Sequence, residues 1–171
     1  LQEIFERISS KNARVVFAEG EEEVVIRAAL AFRNSGYGQP ILVGREDRIK
    51  RAIEQLGLDG ADDLPITNAK ISKQNDVYTD ALYDRLQRQG YLYRDCQRMV
   101  NLDRNIFGAC MIVNGEADAM VTGVTRSFKA SFEHVRRVID SKDEEIFVSC
   151  SMLILKGRTV FLGDTSIYER P

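Results

Sequence analysis

At 171 residues the chain has the length of one domain, or of one domain with part of another. Its 44% hydrophobic and 29% charged residues exclude intrinsic disorder, and a net charge of −2 excludes a surface that coats nucleic acid. Three widely spaced cysteines exclude a disulfide framework, and no apolar run approaches the roughly 20 residues of a membrane-crossing helix.

The opening stretch, Leu1 to Ser10, is amphipathic and predicts a short leading helix unlike a secretory signal. It lacks a starting methionine, and the chain is expected to be a piece of something longer. Arg14–Ala18 reads as a strand, Glu19-Gly20 as a turn and Glu21–Asn34 as a helix ended by Ser35-Gly36. Pro40–Gly44 is a second strand, continuous and apolar as parallel strands buried on both faces are. A helix over Asp47–Leu56 closes at Gly57, a polar connection spans Ala61–Asn68, and Ala69-Lys70-Ile71 is expected to be a short strand. Two helical stretches follow, Asn75–Gln89 and Arg94–Asn114, broken at Gly90. Ala119-Met120-Val121 is a short buried strand, Thr122-Gly123 its turn, and Phe128, Phe132, Val135, Val138 and Ile139 repeat at helical steps.

After Asp140 the texture changes. Ser141–Glu145 reads as a charged linker, and Ile146–Leu155 and Thr159–Leu162 as a hairpin around Lys156-Gly157-Arg158. A lone hairpin is marginal in water, so a second lobe is expected to begin near residue 141 and to be incomplete. The alternation of strand and helix implies an α/β fold with a parallel sheet, divided as 1–140 and 141–171.

Cys96, Cys110 and Cys150 suit reduced thiols in a cytoplasmic protein. No cysteine pair has knuckle spacing, and the single histidine, His134, cannot complete a His-rich site, so no metal is expected. His134 is expected at the surface or its boundary, and Cys150 and Met152 in a core.

Two strand–glycine–helix corners stand out. At the first, Glu19, Glu21, Glu22 and Glu23 cluster around Gly20. These acids suit a helix dipole and would repel phosphate; alternatively Glu19 faces a cleft and helps to place another group. The second corner has the chemistry for an anion. Thr122, Gly123, Thr125, Arg126, Ser127 and Lys129 offer backbone N–H groups, hydroxyls and cations at a helix start, where phosphates settle. The plainer alternative is a βα corner capped by Thr125 or Ser127, with Arg126 in solvent.

Five blocks carry a family resemblance: Arg14–Glu21, Pro40–Gly44, Gly115–Gly123, Ser149–Met152 and the loop from Asp164 to Pro171. In order and spacing the chain resembles the first half of the phosphotransacetylases, which implies a three-layer parallel-sheet domain with the start of a second lobe. It departs from working transferases in one element. Where they place a Thr-x-x-Leu-Arg-Pro-like sequence, this helix has Glu133-His134, and the preceding turn carries Thr125-Arg126-Ser127-Phe128. That variant looks like the phosphotransacetylase-like domain of hybrid NADP-dependent malic enzymes. There the resemblance implies an acetyl-CoA-responsive regulatory domain, homodimeric or larger, without acyl transfer. The family's Ser-Arg and Asp residues closest to the chemistry have no counterpart here, so no catalytic residue is assigned. NADP and a divalent metal are expected only in a catalytic part outside this chain, with no nucleic-acid or membrane partner. The alternative is a fragment of a catalytic phosphate acetyltransferase. The blocks also nominate Glu19, Gly20, Ser149, Ser151 and Asp164 as cleft residues.

Overall fold

The computed structural model describes residues 2–141, 147–164 and 166–167, with side chains from Phe5 onward. Most of the charged linker, the expected strand start at Ile146, and Thr165 and 168–171 of the final loop lie outside the described residues. The chain forms two compact units, Leu1–Ile139 and Asp140–Pro171.

The first unit is a parallel sheet between two layers of helices. Helix α1 (Gln2–Lys11) leads into β1 (Ala13–Phe17), α2 (Glu23–Asn34), β2 (Gly38–Val43), α3 (Glu46–Leu56) and β3 (Ile66–Thr67). Then come α4 (Asn75–Leu86), α5 (Tyr93–Leu102), α6 (Arg104–Val113), β4 (Ala119–Val121) and α7 (Phe128–Val138). Strand order is β3-β2-β1-β4, with every neighbouring pair parallel. Alternate residues of a strand face opposite layers, and both layers here are apolar. Val15 and Phe17 pack with Ile26 and Ala29 of α2 and Ile49 and Ile53 of α3. Val16 and Val43 face the other way, into Tyr78, Leu82, Val100 and Phe107. Gly108 lets α6 lie close on the sheet, since a Cβ there would stand 2.6 Å from Met120 Sδ and 3.1 Å from Val16 Cγ1.

Two expected elements are corrected. Ala69–Ile71 is a turn of 3-10 helix, not a strand, because the Asn68 side chain accepts from Lys70 N–H and curls the backbone. The third strand lies just upstream, inside what read as a polar connection, with Pro65 C=O accepting from Leu42 N–H at 2.8 Å. The single helix expected over Arg94–Asn114 is two, α5 and α6, with an extended Asp103 between them. Asp103 accepts from the N–H groups of Asn105 and Ile106 at 3.0 and 3.1 Å, and so starts a new helix.

In the second unit β5 (Cys150–Leu155) pairs antiparallel with β6 (Arg158–Gly163), and Leu155 opposite Arg158 leaves a two-residue turn at Lys156-Gly157. Gly157 takes a φ of 87°, a left-handed conformation that glycine adopts freely. Cys150 and Met152 are exposed on β5, which corrects their expected place in a core.

Gly20 fixes how β1 leaves the sheet. Its N–H donates to Val43 C=O at 3.0 Å, and a Cβ there would meet Leu42 Cβ at 2.9 Å and Val43 N and O at 3.0 Å. Backbone cannot yield as a side chain can, so Gly20→Ala should cost about 1–3 kcal/mol. The expected readout is a lower urea midpoint with an unchanged slope; an unchanged midpoint would show that the corner relaxes freely.

Candidate functional site

In open parallel sheets, ligands bind beyond the carboxyl ends of strands where the strand order reverses. Here the chain moves outward from β1 to β2 and β3, then returns to place β4 on the other side of β1. The reversal lies between the ends of β1 and β4, where Glu19 and Thr122–Thr125 are found. Both predicted corners therefore meet at one place.

They meet by direct contact. Glu19, 4% exposed, reaches into the loop after β4. Its Oε2 accepts from Gly123 N–H at 2.9 Å and Val124 N–H at 2.6 Å, and its Oε1 accepts from Thr125 N–H at 2.8 Å and from the Thr125 hydroxyl. Three consecutive amides curl around one anion, with Gly123 at a φ of 110° making the curl possible. The sequence predicts an anion cradle there, and the chain's own carboxylate occupies it.

The remaining side chains of the loop are held from α6. Thr122 Oγ1 donates to Asn105 Oδ1 at 2.6 Å. Arg126 pairs with Asp103 Oδ2, and His134 Nδ1 lies 2.8 Å from that same oxygen and 2.8 Å from Arg126 Nη1. Arg126 and Thr125 precede α7 rather than occupying its first turn. Ser127 is the cap, its Oγ accepting from Ala130 N–H, and Lys129 is the exposed cation of the first turn. Asp103 and His134 are the members of this cluster that sequence reasoning missed. An aspartate breaking a helical run was the available signal.

On the other side of β1, Glu21 reaches toward β2. Its carboxylate accepts from Arg45 N–H at 3.0 Å and Nε at 3.2 Å, and pairs with Arg45 Nη2, Arg48 and Arg104 at 3.1, 3.3 and 3.2 Å. The acidic corner is thus dispersed, and only Glu23 sits in the first turn of α2, paired with Arg27.

Burial is the largest single influence on all three carboxylates and opposes their charge, yet hydrogen bonds and cations outweigh it. Glu19 is held below its usual range by the Thr125 hydroxyl and the loop amides, and Asp103 by Arg126, the Ile106 amide and His134. Glu21 is pulled from 4.5 to about 2 by Arg45 and Arg104.

Beside the loop, a groove of about 650 Å³ runs between β4 and α7, lined mainly by Met120, Phe128, Phe132, Val135 and Ile139. Ser131 lines it too; it is 5% exposed and its buried hydroxyl has no hydrogen-bond partner among the described residues. In the second unit Ser149 Oγ donates to Asp164 Oδ1 at 3.3 Å, and Asp164 N–H to Ser149 C=O at 2.6 Å. Ser151 is exposed on β5.

This parallel-sheet domain, with ligand-type geometry at its strand ends, matches the Phosphate acetyl/butaryl transferase family model over residues 1–171. The chain belongs to that family. It is 45% identical over 172 residues to an NADP-dependent malic enzyme of Rhizobium meliloti, a match covering all of the chain and 23% of that protein. It is 29% identical to a phosphate acetyltransferase of Staphylococcus epidermidis, over 95% of the chain and 49% of that protein. A solved phosphotransacetylase from Streptococcus pyogenes superposes with a TM-score of 0.89 at 26% identity, over 99% of this chain and 52% of the other. The chain thus spans about a quarter of the malic enzyme and about half of the transferases.

Removing Glu19 strands the amides of the loop, so Glu19→Ala should destabilise the fold by about 1–3 kcal/mol. Glu21 adds a pH signature. Its folded pKa of about 2 lies below 4.5, so its stabilisation is complete above pH 4.5 and fades as pH falls toward 2. Thermal melts should show Tm falling across that window, and Glu21→Gln should lower Tm at neutral pH while flattening the acid limb. Parallel acid limbs in the two proteins would refute the assignment.

Proposed function

We propose that this chain is the phosphotransacetylase-type domain of a malic-enzyme-type protein, and that it binds acetyl-CoA or a related acyl-CoA as a regulatory module without transferring the acyl group. The groove between β4 and α7 carries this reading. Its volume of about 650 Å³ lies inside the roughly 300–1,000 Å³ range of small-molecule sites, and it combines apolar walls with one orphaned hydroxyl, Ser131 Oγ. An acyl-thioester arm is apolar with spaced amides, which suits such a lining.

Lack of turnover is supported by how the polar groups are engaged. Acyl transfer needs a group to activate a thiol or to stabilise an oxyanion. The loop amides that could stabilise an oxyanion hold Glu19, Arg126 is paired with Asp103, and burial raises the Cys96 thiol and pushes Cys110 up to about 12. NADP and a divalent metal would serve the catalytic part of such a protein. The reading includes a cytoplasmic setting and a homo-oligomer, the latter favoured by the exposed Leu153, Ile154, Phe161 and Leu162 of the hairpin.

Calorimetric titration with acetyl-CoA tests this reading. Binding should weaken about 2–10-fold in Ser131→Ala, the span of one neutral hydrogen bond, while the stability of the free protein holds or rises because an unpaired buried hydroxyl is gone. No acetyl phosphate should form from acetyl-CoA and phosphate. Absence of binding at millimolar ligand rejects the module, and saturable turnover would favour the phosphate acetyltransferase alternative.

A further inference from the structure

We propose that a second pocket, at the carboxyl ends of β2 and β3, binds a phosphate-bearing small anion. It encloses about 280 Å³ and is lined by Arg45, Lys70 and Arg104, by the amides Asn68 and Asn101, and by one acid, Glu21. It is separate from the acyl-CoA groove, and the proposal does not rest on that reading.

Charge carries the argument. Glu21 is already satisfied by one bidentate guanidinium, since Arg45 reaches both of its oxygens. Arg48 and Arg104 then add two further cations to the same carboxylate, although the mutual repulsion of three guanidiniums opposes such crowding. Lys70 contributes a fourth cation and has no carboxylate partner among the described residues. Three cations therefore pair with one acid and a fourth lines the same pocket, in a chain whose net charge is −2. The neighbouring acids do not restore balance, because Glu46 pairs with Lys50 and Asp47 with Arg51 along α3.

The layering points the same way. The Glu21 side chain is 9% exposed, whereas those of Arg45, Arg48 and Arg104 are 45%, 54% and 34% exposed. The acid lies beneath, and the arginine side chains stay partly open to solvent. Planar guanidiniums match phosphate oxygens in pairs, with a lysine as a point charge beside them. The volume is just below the roughly 300 Å³ at which pockets enclose whole organic ligands, so it suits inorganic phosphates or the phosphate end of a larger molecule.

Titration with inorganic pyrophosphate and with adenosine 3′,5′-bisphosphate tests the site and separates those two sources. Similar affinities identify an inorganic anion, and at least tenfold tighter binding of the nucleotide identifies a phosphate ester. In either case Lys70→Gln and Arg104→Gln should each weaken binding about tenfold, Lys70→Arg should retain it, and rising salt should weaken it. Glu21→Gln should tighten binding by removing the resident negative charge. Should that variant fail to fold, Lys70→Gln still decides the matter through weakened binding, because Lys70 lines the pocket and its side chain is exposed. No binding of either anion, or binding that these substitutions leave unchanged, would overturn the proposal.

Discussion

The carboxyl edge of the sheet depends on two carboxylates that leave the end of β1 in opposite directions. Glu19 turns toward β4 and gathers three backbone amides, while Glu21 turns toward β2 and gathers Arg45, Arg48 and Arg104. Gly20 stands between them with its backbone against Val43, too close for any side chain. This alternation delivers one carboxylate to each flank of the central strand. β1 has sheet neighbours on both sides, so its exit geometry sets the loops at the ends of β4 and β2 together. Buried charge is costly unless matched by donors, and here the matching donors belong to the loops that have to be positioned.

Asp103 plays the corresponding role from the helical layer. One oxygen starts α6 by accepting from Asn105 and Ile106, and the other holds Arg126 and His134. The loop from Thr122 to Ser127 is therefore fixed by Glu19, by Asn105 through the Thr122 hydroxyl, and by Asp103 through Arg126. These bonds lie far apart in sequence and form only when sheet and helix layers are both in place. That places the rigidity of the loop on the packing of α6 against β1 and β4, where Gly108 permits the approach.

Much of the fold was legible because its signals are local. Continuous apolar runs mark β1 and β2, three- and four-residue steps mark α7, and Lys156-Gly157 marks the hairpin turn. Beyond the burial expected of β4, Cys150 and Met152, which are largely exposed, what failed were features set by single polar side chains. Asn68 curls a segment that reads as a strand, and Asp103 splits a run that reads as one helix. The site was half legible. Both corners were identified, but as separate and electrostatically opposed places, because charge counted along the chain says nothing about partners across it. The cations that neutralise Glu21 come from residues 45, 48 and 104, and the amides that neutralise Glu19 lie more than a hundred positions away.

The two carboxylates leave different openings for a ligand. At the β4 loop, Glu19 is a tethered occupant, present at a high effective concentration and bonded to every amide of the curl. A free anion arriving there has to displace an equivalent anion that costs nothing to bring in, so charge alone gives it no advantage. Only a ligand with additional binding surface could compete, and the apolar groove beside the loop is where such surface would be found. At the β2 and β3 ends the balance differs. Glu21 leaves a surplus of cations partly open to solvent, so an incoming anion adds to the resident carboxylate instead of replacing it. One edge of the sheet thus combines a closed anion cradle beside an apolar groove with an open cationic pocket, and the difference follows from how many donors each glutamate exhausts.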